Sequence, residues 1–247
     1  MRLGFVRSLN ARPLDYGFSQ KGTHEIIYEV PSVLSAMLRE GRLDAALISS
    51  VECFRHEHIL SYCNKVGVCS HSAVRSILYL RPFGMKGHPG EILADRGSRT
   101  SAALLSSLIY KETNTMPDLI ETDPEEIPVI MKKHQGGLII GDPALDFEIS
   151  PYYSKFQVTD LGRWWNESEH LPFVFALWAY PSLRPVSDEL FIDSLSEGLK
   201  HIDSIAATSP YTKSYEYLTT NLHFQINEPE RKALLVFRER LQAAGLV

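Results

Sequence analysis

The chain has 247 residues, a formal net charge of -5, and a globular balance of 44% hydrophobic and 22% charged residues. This length suits one large or two modest domains, and the acidic balance argues against a nucleic-acid-binding surface, which usually shows a basic excess. No run of about 18 apolar residues occurs, so the sequence predicts no membrane span.

The start of the chain and its cysteines indicate the compartment. Polar residues follow Met1–Val6 without the apolar stretch of a signal peptide, which favours a cytoplasmic protein. Cys53, Cys63 and Cys69 are odd in number and lack a CxxC spacing, so we expect buried thiols rather than disulfides or a zinc site. The run His56-Glu57-His58 also lacks the spacing of a zinc-binding helix, and no metal site is predicted.

The first fifty residues alternate between strand and helix patterns. Strands are predicted at Leu3–Val6, Glu25–Val30 and Leu43–Ile48, because these segments are short and apolar. Between the last two, a helix is expected to begin at Pro31 and to end at Gly41. This β-α-β order predicts a parallel sheet.

The middle of the chain predicts a second series of strands and helices. Val74–Leu80 has a strand pattern, and the Gly- and Pro-rich stretch Arg81–Gly90 after it is expected to cross to a second lobe. Further strands are predicted at Glu91–Ala94, Leu119–Glu121, Gly137–Ile140 and Phe156–Val158, with helices at Ala102–Tyr110 and Ile127–Lys133.

The last third of the chain is expected to return to the first lobe. Phe173–Tyr180 is strongly apolar and predicts the returning strand, and helical patterns follow from Pro185 onward. We therefore predict an α/β protein in which residues 1–81 and 180–247 form one lobe and residues 82–179 form the other. Two crossing strands join the lobes, and a ligand is expected in the central cleft, because open parallel sheets bind ligands beyond the carboxyl ends of their strands.

Polar loops after the predicted strands are the candidate ligand-binding segments. The turn Ser98–Ser101 precedes a helix, where free backbone N–H groups and the helix dipole would hold a carboxylate or phosphate. An ordinary N-cap explains the same residues, and the pair Ser49-Ser50 has the same ambiguity. Asn10 and Gly141-Asp142-Pro143 are also explained by local turn formation.

Ser76 and Phe173 lie in the predicted crossing strands and allow two interpretations each. Ser76 is either a half-buried core serine or a serine that points into the cleft, and the run that begins at Phe173 is mostly core with one face toward the cleft. No GxSxG, P-loop or GxGxxG motif occurs, so neither an acyl-enzyme nor a nucleotide site is predicted.

Seven short segments occur in a distinctive order: Leu9–Leu14, Leu47–Glu52, Val74–Ser76, Ser98–Ser101, Gly141–Leu145, Asp160–Gly162 and Leu171–Ala176. In this order they resemble the chorismate dehydratases of the futalosine route to menaquinone, over about residues 1–180. The resemblance implies a two-lobed periplasmic-binding-protein-like fold of type II. It also implies a lyase that removes water from chorismate to give 3-[(1-carboxyvinyl)oxy]benzoate, with no metal or organic cofactor.

The resemblance also assigns roles to residues. Asn10 and Ser76 match the substrate contacts of the family and are expected to be catalytic, orienting the ring and its substituents. No side chain is an obvious base, and the enolpyruvyl carboxylate of the substrate could serve instead. Substrate-binding positions follow by place in the segments: Ser49, Ser50, Ser98, Arg99, Thr100, Ser101, Asp142 and Phe173.

Three departures from the family pattern affect the expected fit of the ligand more than the expected fold. Ser8 stands where an aromatic residue is common, His71-Ser72-Ala73 replaces an Asp-Gly pair, and Glu169-His170 replaces Thr-Gly. Other functions stay open on the sequence alone: a non-catalytic binding protein for small carboxylates, the sister enzyme that acts on cyclic dehypoxanthinyl futalosine, and a ligand-sensing module. The sequence is compatible with a homodimer.

Overall fold

A computed structural model describes residues 1–247 and contains two mixed β-sheets surrounded by helices. The strands are β1 (Arg2–Phe5), β2 (Glu25–Tyr28), β3 (Ala45–Ser49), β4 (Leu60–Ser70), β5 (Ile77–Pro82), β6 (Glu91–Asp95), β7 (Asp118–Thr122), β8 (Gln135–Ile140), β9 (Phe156–Asp160), β10 (Phe173–Pro181) and β11 (His223–Gln225). The helices are α1 (Arg12–Lys21), α2 (Pro31–Arg39), α3 (Ser50–Arg55), α4 (Thr100–Thr113), α5 (Ile127–Ile130), α6 (Asp142–Leu145), α7 (Leu161–Glu169), α8 (Asp188–Lys200), α9 (Ile202–Ala207), α10 (Ser214–Glu216) and α11 (Glu228–Ala243).

The strands are divided between two sheets, and each sheet with the helices packed on it forms one lobe. The first sheet has the strand order β11-β4-β10-β3-β1-β2, and the second has the order β7-β6-β8-β5-β9. β1 pairs in parallel with β2 and β3, and β6 pairs in parallel with β7 and β8. The parallel β-α-β start that the sequence predicts is therefore confirmed, and the same arrangement occurs in the second lobe.

The chain crosses between the sheets earlier than predicted. β4 lies in the first sheet and β5 in the second, so the crossing segment is residues 71–76, and the chain returns in residues 161–172. The Gly- and Pro-rich stretch 81–90 connects β5 with β6 inside the second lobe. The predicted boundaries at 81/82 and 179/180 therefore fall within β5 and β10, because Gly and Pro indicate a turn without indicating which lobe follows it.

One continuous core joins the lobes. A cluster of 54 buried residues contains Phe5 and Trp178 from the first lobe together with Tyr79 and Leu104 from the second. A separate cluster of seven, which includes Leu80 and Ile127, covers the outer face of the second sheet. The core continues behind the cleft and supports both of its walls. None of the helices is long and apolar enough to cross a bilayer.

Candidate active site

The cleft between the lobes holds a cavity of about 850 Å³, including the space at its open mouth. Its 21 lining residues come from both lobes, and apolar side chains such as Leu47, Val68, Ile77, Ile140 and Phe175 form most of its surface. Arg99 is the single charged residue among them, and the lining contains no Asp, Glu, His or Lys. A cavity with one cation and no carboxylate favours an anionic ligand and offers no side-chain carboxylate or imidazole as a base.

The polar groups of this cavity lie beyond the carboxyl ends of four strands. Asn10 follows β1, Ser49 ends β3, Arg99 follows β6 and Gly141 follows β8. Gly141 has φ 67° and ψ -148°, a conformation that residues with a Cβ rarely adopt, and its N–H donates to the Ser76 carbonyl at 2.7 Å. The ligand position predicted from sheet topology is thus where the cavity lies.

The amino end of α4 forms one polar wall of the cavity. Thr100 and Ser101 are in the first turn of this 14-residue helix, and Arg99 immediately precedes it. The first N–H groups of a helix have no intrahelical partner and carry the positive end of the dipole. The Arg99 guanidinium lies 3.7 Å from Glu121 and is about one-third exposed, so it can also turn toward an anion. Together these groups can hold a carboxylate.

Ser76 faces the cavity from the end of the crossing segment and is only 2% exposed. The Tyr217 hydroxyl donates to Ser76 Oγ at 2.8 Å, which leaves the Ser76 proton free for a ligand. Burial raises the pKa of Tyr217 strongly, and hydrogen bonding with Ser76 and Asn10 opposes this only in part. Tyr217 therefore stays protonated and acts as a fixed donor to Ser76.

Asn10 is oriented by a neighbour in its own loop. The Ser8 hydroxyl donates to Asn10 Oδ1 at 2.6 Å, which leaves the Asn10 amide group to donate to the Tyr217 hydroxyl and to a ligand. Both residues line the cavity. Ser8 thus has a local function at the position where the resembled family commonly has an aromatic residue.

Sequence reasoning missed Tyr217. It begins a π-helical turn at Tyr217–Asn221, and Asn221 Nδ2 donates to the Ala73 carbonyl in the crossing segment at 3.1 Å. No local motif marks this tyrosine, and only the packing of residues 217–221 against the crossing segment brings it to Ser76. π-Helical turns are rare and often occur at functional sites, but they have no reliable sequence signature.

Six of the ten residues predicted for the site line one cavity, and four do not. The six are Asn10, Ser49, Ser76, Arg99, Thr100 and Ser101. The four outside it are Ser50, Ser98, Asp142 and Phe173.

Ser50 and Asp142 join the lobes instead of facing the cavity. Ser50 Oγ donates to the Val174 carbonyl at 2.8 Å and lies 3.3 Å from Thr100 Oγ1. Asp142 Oδ1 accepts from the Leu9 N–H at 3.1 Å. We call these two inter-lobe contacts, Ser50–Thr100 and Leu9–Asp142, the seam. Burial raises the pKa of Asp142, and the bond from Leu9 opposes the shift only in part.

Phe173 and Ser98 also point away from the cavity. Phe173 is 1% exposed and packs edge-on against Trp165 and Phe237, so it belongs to the core, while Phe175 two residues later reaches the cavity. Ser98 Oγ is buried on the other side of its turn and has no hydrogen-bond partner. Neither position is suited to contact a ligand in the cleft.

Asp160 fixes the crossing segment. Its carboxylate accepts from the N–H groups of Val74 (3.0 Å) and Arg75 (2.6 Å) and also from Arg163 in the first turn of α7. Burial raises the pKa of Asp160, and these backbone bonds oppose that shift. The Asp160–Gly162 motif of the resemblance is therefore an anchor that holds Ser76 in place.

Gly162 allows α7 to pack closely against the crossing segment. A Cβ at this position would lie 2.4 Å from the Ser72 carbonyl oxygen and 2.9 Å from Ser70 Oγ. Any side chain larger than hydrogen would push the two crossing parts of the chain apart.

Comparisons with known proteins identify one family. The family model described as menaquinone biosynthesis matches residues 1–243. A chorismate dehydratase from Thermus thermophilus is 26% identical, with 97% of this chain and 94% of the relative covered. A chorismate dehydratase from Campylobacter jejuni is also 26% identical, with 96% and 92% covered.

Solved structures show the same fold at low sequence identity. A protein from Archaeoglobus fulgidus superposes with a TM-score of 0.77 at 15% identity, over 100% of this chain and 98% of the other. The alkanesulfonate-binding protein SsuA from Xanthomonas axonopodis pv. citri superposes with a TM-score of 0.66 at 13% identity, over 100% and 93%. The two-lobed periplasmic-binding-protein-like fold expected from the resemblance is confirmed.

Proposed function

We propose that this chain, which belongs to the menaquinone biosynthesis family, is a lyase that dehydrates chorismate to 3-[(1-carboxyvinyl)oxy]benzoate. The two curated relatives that cover nearly the whole chain carry the name chorismate dehydratase. The single structural observation that carries the proposal is the cavity lining, which has one cation, a helix amino end and small hydroxyl and amide groups, without a carboxylate. Such a lining suits a dianionic, largely apolar ring.

Substrate binding is assigned to the second-lobe wall and the loops opposite it. The α4 amino end and Arg99 hold one carboxylate of chorismate, because unpaired N–H groups and a guanidinium are both donors to anions. Ser49, whose Oγ is buried without a partner, faces the same space from the first lobe. The apolar surface around Phe175 and Ile140 accommodates the ring.

Catalysis is assigned to positioning and hydrogen bonding. The reaction removes the proton from the ether-bearing ring carbon and the hydroxyl from its neighbour, and the product ring is aromatic. With no Asp, Glu or His in the lining, the enolpyruvyl carboxylate of the substrate takes the ring proton. Ser76, oriented by the Tyr217 hydroxyl, donates a hydrogen bond to the departing hydroxyl and keeps its proton, while Asn10 orients the substrate. The proton held by the substrate carboxylate passes to the departing hydroxyl, which leaves as water. No metal or organic cofactor has a part in this scheme.

We assign the reaction to the futalosine route of menaquinone synthesis and to the cytoplasm. The three cysteines are free and buried, as is usual in reducing compartments. A homodimer is compatible with this assignment. The partner is a small carboxylate, not a nucleic acid or a membrane.

The experiment is direct. Purified protein is incubated with chorismate after removal of metals by a chelator, and ultraviolet absorbance is followed together with mass detection. Loss of one water to give an aromatic product is the expected result. Binding without turnover would contradict the enzyme and favour a binding protein. If chorismate neither binds nor reacts, the proposal is wrong, and cyclic dehypoxanthinyl futalosine is the next substrate to test.

A further inference from the structure

Two histidines and one glutamate form a cluster outside the cleft. His71 is the first residue after β4, His223 begins β11, and Glu230 lies in the first turn of α11. One donor atom from each side chain lies within 4.8 Å of the others. None of the three lines the cavity, so the cluster has no part in the proposed reaction.

Two of the donor atoms already have the spacing of neighbouring metal ligands. His223 Nε2 lies 3.0 Å from Glu230 Oε1. A tetrahedral ion with bonds of about 2.0–2.1 Å to nitrogen and oxygen separates its ligand atoms by about 3.3 Å. An ion can therefore replace the proton between these two atoms with a displacement of only a few tenths of an ångström.

Glu230 is fixed in its orientation by a second contact. It is 2% exposed, and its other oxygen accepts from the Asn227 N–H at 2.8 Å within the capping box of α11. A carboxylate that is hydrogen-bonded in this way presents its free oxygen at a defined position, as supporting residues do in metal sites. Glu230 thus supplies a rigid ligand.

His71 is the adjustable member of the cluster. Its ring stacks on His223 with centroids 3.8 Å apart and an interplanar angle of 10°. Stacked rings do not direct their nitrogen lone pairs at one point, so His71 must rotate before it can bind the same ion. It is exposed and forms no hydrogen bond, and a change between staggered rotamers is therefore accessible.

We propose that His71, His223 and Glu230 bind one Zn²⁺ ion, with water as the fourth ligand. Imidazole and carboxylate donors with an open position suit this ion. The ion would tie the start of the crossing segment, at His71, to helix α11. As the ion enters, the proton on His223 Nε2 moves to Nδ1, which has no hydrogen-bond partner, and the ring binds the ion as a neutral imidazole.

The test is a calorimetric titration of Zn²⁺ into the full chain, chelator-washed and without a polyhistidine tag. We expect one saturable site per chain. His71→Ala and Glu230→Gln should each weaken binding by at least about tenfold. Both variants should fold, because His71 is exposed and glutamine can still accept from the Asn227 N–H.

The histidines at positions 56 and 58 provide the matched control. Their rings lie 6.2 Å apart, and His56 lies 3.6 Å from Glu52, so they form a comparable group of two histidines and one glutamate. A variant with His56→Ala and His58→Ala should bind Zn²⁺ as tightly as the wild type. The proposal is overturned if this variant loses the site, if the His71 and Glu230 variants keep it, or if no saturable binding occurs.

Co²⁺ gives an independent readout of the ligands. The three cysteines are buried, and a site made of imidazole and carboxylate should show Co²⁺ absorption without thiolate charge-transfer bands. Strong thiolate bands at one equivalent of Co²⁺ would place the ion at a cysteine and contradict the assignment.

Discussion

The cavity wall and the seam differ in function although their residues are neighbours in sequence. Ser49 lines the cavity and its buried hydroxyl has no protein partner, whereas the Ser50 hydroxyl lies 3.3 Å from Thr100 Oγ1 in the other lobe. Gly141 lines the cavity, whereas the Asp142 carboxylate accepts a hydrogen bond from the Leu9 N–H. A single short motif thus supplies one group for the ligand and one group for the assembly of the lobes, and substitution should separate the two functions.

The largest effect is expected at Ser76. Ser76→Ala removes the proposed donor to the departing hydroxyl, and loss of one such donor costs about 10²–10³-fold in rate. The measurement is kcat with chorismate. Ser107→Ala is the control, because Ser107 is also a buried serine of the second lobe but does not line the cavity. Equal rates for both variants would remove Ser76 from the mechanism.

Arg99 should affect binding more than turnover. Hydrogen bonds to charged groups contribute about 1.5–3 kcal/mol, so Arg99→Met should lower kcat/KM by roughly 10–150-fold, mainly through KM. Arg96→Met is the matched control, because Arg96 lies in the same loop but pairs with Asp123 away from the cavity. A similar loss in both variants would indicate a general charge effect rather than a ligand contact.

Gly162, in the Asp160–Gly162 motif that anchors the crossing segment, should affect stability. Gly162→Ala places a methyl group against the Ser72 carbonyl, and overpacking of this kind costs about 1–3 kcal/mol in the free energy of unfolding. Denaturant unfolding measures it. Gly90→Ala is the control, because a Cβ there meets no atom within 4 Å. An unchanged midpoint for Gly162→Ala would show that α7 can move away from the crossing segment at little cost.

Ser49 and Ser50 allow the most specific comparison of wall and seam. Ser50→Ala loses its seam contact with Thr100 and its bond to the Val174 carbonyl, and should cost about 1 kcal/mol in unfolding free energy with little change in KM. Ser49→Ala removes a buried hydroxyl without a protein partner and should raise KM without lowering the free energy of unfolding. Parallel unfolding curves and chorismate kinetics test the pair, and the opposite assignment of effects would contradict the two roles.

The smallest effect concerns the pH dependence of the seam. Because burial raises the pKa of Asp142 above its ordinary value of 3.8, the folded state binds this proton more readily than the unfolded state. The stabilisation that protonated Asp142 gives the folded state is therefore present below pH 3.8 and is lost as pH rises through the raised pKa. Asp142→Asn keeps an acceptor for Leu9 and removes the ionisation.

The free energies of unfolding of wild type and Asp142→Asn should therefore diverge in favour of the variant as pH rises through this window. Asp193→Asn, on an exposed face of α8, controls for the loss of one surface charge. A constant difference between wild type and the Asp142 variant would show that the carboxyl titrates alike in both states.

The sequence predicted well what depends on local patterns. The alternation of short apolar runs with helical segments was enough for the parallel pairing of β1 with β2 and β3 and for a cleft beyond the strand ends. The first crossing between the sheets was predicted too late in the chain, because residues 71–76 contain neither Gly nor Pro. The sequence also did not show which side chains face the cavity. Ser49 and Ser50 were both expected to bind substrate, but only Ser49 lines the cavity.

Tyr217 shows a different reason for failure. It is 141 residues away from Ser76 in sequence, and their hydrogen bond depends on the return of the chain to the first lobe and on a π-helical turn. No periodicity or motif in a single sequence shows that Tyr217 will contact Ser76. The segments that follow the strand ends are different, because the strand pattern itself indicates that they lie near the cavity.

The most direct test of the whole assignment is a crystal structure with 3-[(1-carboxyvinyl)oxy]benzoate bound. The account predicts the product in the inter-lobe cavity, with one carboxylate on Arg99 and the amino end of α4 and the ring within reach of Ser76 and Asn10. Product bound elsewhere, or bound in the cavity with neither Ser76 nor the α4 amino end in contact, would contradict it.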